Sequence, residues 1–148
     1  MNALPIFDPP ELPAPVAERF APFWAAVERE ALALPRCSAC GRWQWYPEDG
    51  GPHCPDAELV WQDVATTGTL HARTRVHRSF LPTPEPIADP FLVGLIELDG
   101  VEGVRLVANL TEDVNGRSPA IGDRVVARFA HLGHRRHPVF MPVPEAMF

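Results

Sequence analysis

Downstream of residue 63 the chain carries five short apolar runs, and the turns between them leave no room for crossover helices. The runs are GTLHARTRVHRSF, PFLVGLIEL, GVRLVANL, DRVVARFAHL and HPVFMPV. Turn signals separate them at Asp99-Gly100, around Asn115-Gly116 and at Gly122-Asp123. The first run alternates Leu70, Ala72, Thr74 and Val76 with His71, Arg73, Arg75 and His77, the period of two of a half-buried strand. Strands that cannot be crossed over must pair antiparallel, and a small antiparallel sheet escapes its exposed edges by closing. The expected fold is therefore mainly β, with a five-stranded OB-type barrel in residues 64–148, a C-terminal tail included.

Ahead of the barrel the period changes to that of a helix. From Val16 to about Leu34, Phe20, Phe23, Trp24, Val27 and Ala31 recur at helical spacing, with a break or fresh start expected at Pro22. The first fifteen residues hold Pro5, Pro9, Pro10, Pro13 and Pro15 and read as an extended arm. Residues 1–36 thus form an arm and an amphipathic helix. A stripe with two Phe and one Trp packs either on the protein's own barrel or on another subunit, and Phe20, Phe23 and Trp24 are its candidate anchors. The proline-rich stretch SFLPTPEPIADP adds Phe80 and Leu81 as candidate partner contacts.

Between helix and barrel, residues 37–63 hold all three cysteines. Cys37 and Cys40 are spaced C-x-x-C and followed by Gly41, the pattern of a zinc knuckle. Cys54-Pro55 opens what would be a second knuckle, but Ala57 stands where the last cysteine belongs. His53, Asp56 or Glu58 could supply a fourth ligand, since imidazole and carboxylate bind zinc beside thiolates. The other reading is a ribbon that has lost its metal and persists as a hairpin holding Trp43, Trp45, Tyr46 and Trp61. Zinc, if bound, is structural.

At 148 residues, nearly half of them apolar, the chain is long enough for a real core. No run of about eighteen apolar residues occurs, and the N-terminus lacks the marks of a signal peptide, so the expected setting is cytoplasmic with no membrane partner. The net charge of −6 is uneven: residues 1–63 hold ten acids and four arginines, while residues 64–148 hold nine of each. An acidic protein whose strands are poor in exposed aromatics makes a weak single-strand binder, so nucleic acid is not an expected partner. No nucleophile elbow, H-E-x-x-H or phosphate loop appears, so catalysis by the chain alone is not expected.

The order PFW, LPRCSACGRWQWYP, CP, TTGTLHARTRVHR, PFLVGLIELDGVEGVRLVANL, IGDRVVARF and PVFMP resembles a bacterial and archaeal family of zinc-ribbon/OB-fold acyl-CoA-associated proteins. The likeness spans roughly residues 20–143. It implies a non-catalytic accessory subunit of a thiolase-fold enzyme, such as a thiolase, an acyltransferase or a lipid-transfer-protein-like aldolase that cleaves steroid side chains as CoA thioesters. The chain departs from the family at CPDA, where the family carries C-P-x-C. A CoA thioester shared with the partner would need guanidinium groups beside an apolar groove, and His71, Arg73, Arg75, His77 and Arg78 form a cluster of that sign. Alternative readings are a solvated strand face for that cluster, and for the whole chain a single-stranded nucleic-acid-binding protein or a free-standing acyl-CoA-binding protein. The segment HLGHRRHP, from His131 to Pro138, reads as a solvated loop.

Overall fold

The computed structural model describes residues 13–48, 54, 56–77, 90–132 and 135–144. One helix, α1 (Ala14–Glu28), precedes a two-stranded antiparallel sheet of β1 (Leu32–Cys37) and β2 (Leu59–Val64). A closed barrel follows, built from β3 (Thr67–Val76), β4 (Phe91–Leu98), β5 (Leu106–Leu110), β6 (Arg124–Leu132) and β7 (Arg135–Pro142) in the order β3-β4-β5-β7-β6. All pairings are antiparallel except β5 with β7. Helix, ribbon and five-stranded barrel are the architecture the sequence implies.

Helix α1 starts after Pro13, whose carbonyl accepts the N–H groups of Val16 and Ala17 at 3.0 and 2.9 Å. The helix is shorter than the expected run to Leu34. It ends where Glu30 turns into the left-handed region at φ 59°, with Glu30 N–H donating to Val27 and Ala31 N–H to Ala26, both at 2.9 Å. Leu32, Ala33 and Leu34 favour a helix by composition, but pairing with β2 makes them strand. Pro22 does not break the helix either. The carbonyl it leaves without an N–H partner belongs to Glu18, an exposed residue that water can reach.

The barrel core gathers Leu70, Leu92, Ile96, Leu110, Val125 and Phe140. Gly94 faces into it, and a Cβ there would lie 2.7 Å from Leu70 Cδ1 and 2.9 Å from both Leu110 methyls. Two further expectations change. Thr74, placed by alternation on the buried face of β3, is exposed, because the register shifts between Leu70 and Ala72 and β6 covers β3 only over Thr67–Thr69. The stretch read as a solvated loop at HLGHRRHP is mostly strand, since Arg135 to Pro138 pair with β6 and His137 is buried.

Helix and barrel are joined through β7. The Arg135 guanidinium lies 4.6 Å from the Trp24 ring centre and the His137 ring meets Trp24 edge-on at 5.4 Å. The Arg136 backbone N–H donates to Glu28 Oε1 at 3.0 Å, and its guanidinium lies 3.3 Å from Glu30. On the other side Arg29 forks onto Asp63 of β2 at 2.9 and 2.7 Å.

Candidate functional site

The first cluster is the ribbon. Gly41, at φ 76°, lets the chain reverse after Cys40, with Gly41 N–H donating to the Cys37 carbonyl at 2.9 Å and Cys40 N–H to Cys37 Sγ at 3.5 Å. Backbone N–H groups of Cys40 and Ala39 draw the Cys37 thiol down to about 7. The neighbouring Cys40 and Cys37 thiols push Cys54 up to about 11, because three adjacent sulfurs do not all ionise without a cation among them. Cys37, Cys40 and Cys54 sulfurs lie within 4.8 Å of one another. Zn–S bonds of about 2.3 Å in a tetrahedron put sulfurs about 3.8 Å apart, so small shifts would close the set on an ion.

The second is an apolar groove of about 390 Å³ where helix, ribbon and barrel meet. Its walls are the rings of Phe20, Trp24, Trp45 and Tyr46, and its floor is Val93 of β4 with Val107 and Asn109 of β5. Phe20 meets Trp45 edge-on at 5.6 Å and Tyr46 at 5.9 Å. Tyr46 and Val107 remain 55% and 48% exposed, so the groove is open to solvent. Phe23, expected as a partner anchor, is only 5% exposed and packs 5.1 Å from both Trp24 and Trp45, within the core. Phe20, Phe23 and Trp24 all line the groove, but the helix stripe divides by exposure: Phe23 is buried with Ala26 and Val27, while Phe20 and Trp24 stay half-buried.

The third is the outer face of β3. His71, Arg73 and Arg75 are exposed on it, as their alternation implies, and His77 is exposed just past its end. His71 Nδ1 lies 3.8 Å from Glu97, and Arg73 Nη1 donates to the Pro119 carbonyl at 2.7 Å. Arg73 thus secures the connection between β5 and β6. Arg78, Phe80, Leu81 and His53 lie outside the described residues.

Two family descriptions match consecutive stretches: a rubredoxin-like zinc ribbon domain of ChsH2 over residues 24–60, and the ChsH2 C-terminal OB-fold domain over residues 61–130. Together they take in well over half of the chain. The chain belongs to the ChsH2 zinc-ribbon/OB-fold family. Among solved structures it is similar to a chain of an Ltp2-ChsH2 (DUF35) aldolase, at 28% identity and a TM-score of 0.71, covering 90% of this chain and 98% of that one. A DUF35-family protein of unknown function from Sulfolobus solfataricus shares the fold at 14% identity and a TM-score of 0.54, over 88% of this chain and 90% of that one. No curated protein matches the sequence.

A ChsH2-type ribbon implies zinc, and the three sulfurs fit three corners of its tetrahedron. Among the described residues no carboxylate or imidazole joins them; Asp56 is exposed and outside the group. The groove is what residue-by-residue reading missed. In GVRLVANL exposed Val107 and half-buried Asn109 alternate with buried Leu106, Ala108 and Leu110, so an outward face carrying a valine was marked there, though not what roofs it. Among the described residues no helix is long and apolar enough to cross a membrane.

Proposed function

We propose that this chain is the non-catalytic accessory subunit of a thiolase-fold enzyme, of the thiolase, acyltransferase or retro-aldolase kind, acting on acyl-CoA thioesters in steroid or lipid side-chain degradation in the cytoplasm. The observation that carries this reading is the likeness to a chain of an Ltp2-ChsH2 aldolase along nearly its whole length. The open aromatic groove supports it physically. Clustered aromatic rings and a half-exposed valine resemble the apolar centre of a protein interface more than a solvated surface. In this reading Phe20 and Trp24 meet the partner, with Phe80 and Leu81 of the proline-rich connection beside them. Arg75 and His77, with Arg78, His71 and Arg73, face the CoA phosphates of the shared thioester. Cys37, Cys40 and Cys54 hold a structural zinc that keeps the ribbon folded.

The test is to mix the chain with a thiolase-like protein encoded beside it and to measure assembly and acyl-CoA turnover. A stable hetero-oligomer whose turnover exceeds that of either component is the expected result. Failure to associate, together with unchanged turnover, overturns the reading in favour of a free-standing binding protein.

A further inference from the structure

One wall of the aromatic groove leads back towards the start of the chain. On α1, Pro13, Ala17, Phe20 and Trp24 follow one another at intervals of four, three and four residues, so they share one face. Phe20 and Trp24 line the groove, while Pro13 to Arg19 are all exposed. Helices in proteins owe most of their stability to packing of an apolar face, yet none of these seven residues is buried.

The twelve residues before Pro13, MNALPIFDPPEL, join α1 at the end of that face. Pro5, Pro9 and Pro10 fix φ and remove backbone donors, which suits an extended segment, and grooves lined by aromatic rings accept proline-rich extended segments. The lengths agree. At about 1.5 Å per helical residue, Phe20 and Trp24 stand about 10 and 16 Å along the axis from Pro13. An arm that reverses over about two residues and runs back beside the helix, at about 3.1 Å per residue, carries Phe7 about 12 Å and Pro5 about 19 Å along it. Pro5, Ile6 and Phe7 then come abreast of Phe20 and Trp24. Glu11 stays at the N-terminal end of α1, where the helix dipole favours an acid and the first turn supplies none.

We infer that the Pro5-Ile6-Phe7 segment of the chain's own N-terminal arm occupies the aromatic groove in the free protein, folded back along α1. Its side chains cover Tyr46 and Val107, and a partner docking on the same face has to displace it. The occupancy itself does not rest on the partner assignment, because it is a property of the chain alone.

The test uses the full chain, labelled with carbon-13 for NMR, and the dye ANS as a reporter of open apolar surface. Cross-peaks from Ile6 or Phe7 to Tyr46 and Val107 are expected, with the Ile6 methyl shifted upfield by the rings around it. Ile6→Ser with Phe7→Ser should erase both signals, raise ANS fluorescence severalfold and leave the melting temperature unchanged, since neither side chain belongs to the core. Random-coil shifts for Ile6, without cross-peaks to the groove, overturn the proposal. So does an ANS signal that the double substitution does not change. Cross-peaks from Phe80 or Leu81 in place of Phe7 overturn it by making the other proline-rich stretch the occupant. Cross-peaks seen only between differently labelled copies overturn it in favour of a second molecule's arm.

Discussion

Phe23→Ala separates a core role for the helix stripe from a partner role. The ring is 5% exposed and lies 5.1 Å from Trp24 and from Trp45, so truncation removes nearly a whole buried aromatic side chain. Burial of about 150–250 Å² at about 25 cal/mol per Å² corresponds to about 4–6 kcal/mol, and the remaining methyl keeps about 1. The expected loss is about 3–5 kcal/mol, the usual range for Phe→Ala in a core. Against a total of about 5–15 kcal/mol that is a large share, and it lowers the melting temperature by roughly 8–16 °C. Urea unfolding should be followed by tryptophan fluorescence, which senses Trp24 and Trp45 beside the ring, and by far-UV circular dichroism. Val107→Ser is the counterpart: at 48% exposed on the groove floor, it should cost under about 1 kcal/mol yet weaken association with the thiolase-like subunit. The reasoning fails if Phe23→Ala unfolds at the wild-type urea concentration while losing the partner. The ring would then be an interface anchor and not part of the core.

Gly94→Ala should cost about 1–3 kcal/mol in thermal unfolding, since its Cβ would press on Leu70 and Leu110 inside the closed barrel; an unchanged melting temperature would contradict that packing. Asp99 is held at about 2 by hydrogen bonds from Arg124 and Thr67. A carboxyl lowered on folding stabilises above its unfolded value and loses that contribution as pH falls from about 4 towards 2, so Asp99→Asn should flatten the acid limb of stability. The effect is at most about 1 kcal/mol because both partners of the pair are well exposed. Arg73→Ala should speed amide hydrogen exchange at Ala120 and Gly122, next to the Pro119 carbonyl that Arg73 binds, whereas Arg75→Ala should leave exchange unchanged and weaken only acyl-CoA binding by the assembled complex.

The barrel was legible because alternation and turn residues are local properties. Leu70 lies on the buried face its run assigns it, and Ile96, Leu106, Leu110 and Val125 of the other runs are buried in the barrel core. The end of α1 was not legible for the opposite reason. Nothing near Leu32–Leu34 opposes a helix; what makes them strand is β2, whose residues Gln62 and Val64 lie some thirty positions away. The same limit applies to Phe23 and Phe20. Both belong to one apolar stripe and both line the groove, but only the three-dimensional packing decides that the first is buried and the second half-buried. C-x-x-C spacing pointed to Cys37 and Cys40. The isolated Cys54-Pro55 pointed to the third sulfur, and strand pairing brings it to the other two.

The groove also bears on the readings an OB barrel leaves open. Strands two and three of such a barrel form its usual binding face, and here those strands are β4 and β5. A single-stranded nucleic acid on that face needs free cations along its backbone path as well as rings for its bases. The rings are present, in Phe20, Trp24, Trp45 and Tyr46, but two nearby arginines already have partners: Arg135 lies over Trp24, and Arg136 pairs with Glu28 and Glu30. The helix and ribbon that roof the face also bring the acidic part of the chain, which would repel phosphates. An apolar surface pressed from another protein meets neither obstacle. It would bury Tyr46 and Val107 without desolvating a charge, and this physical asymmetry favours a protein partner on the β4–β5 face.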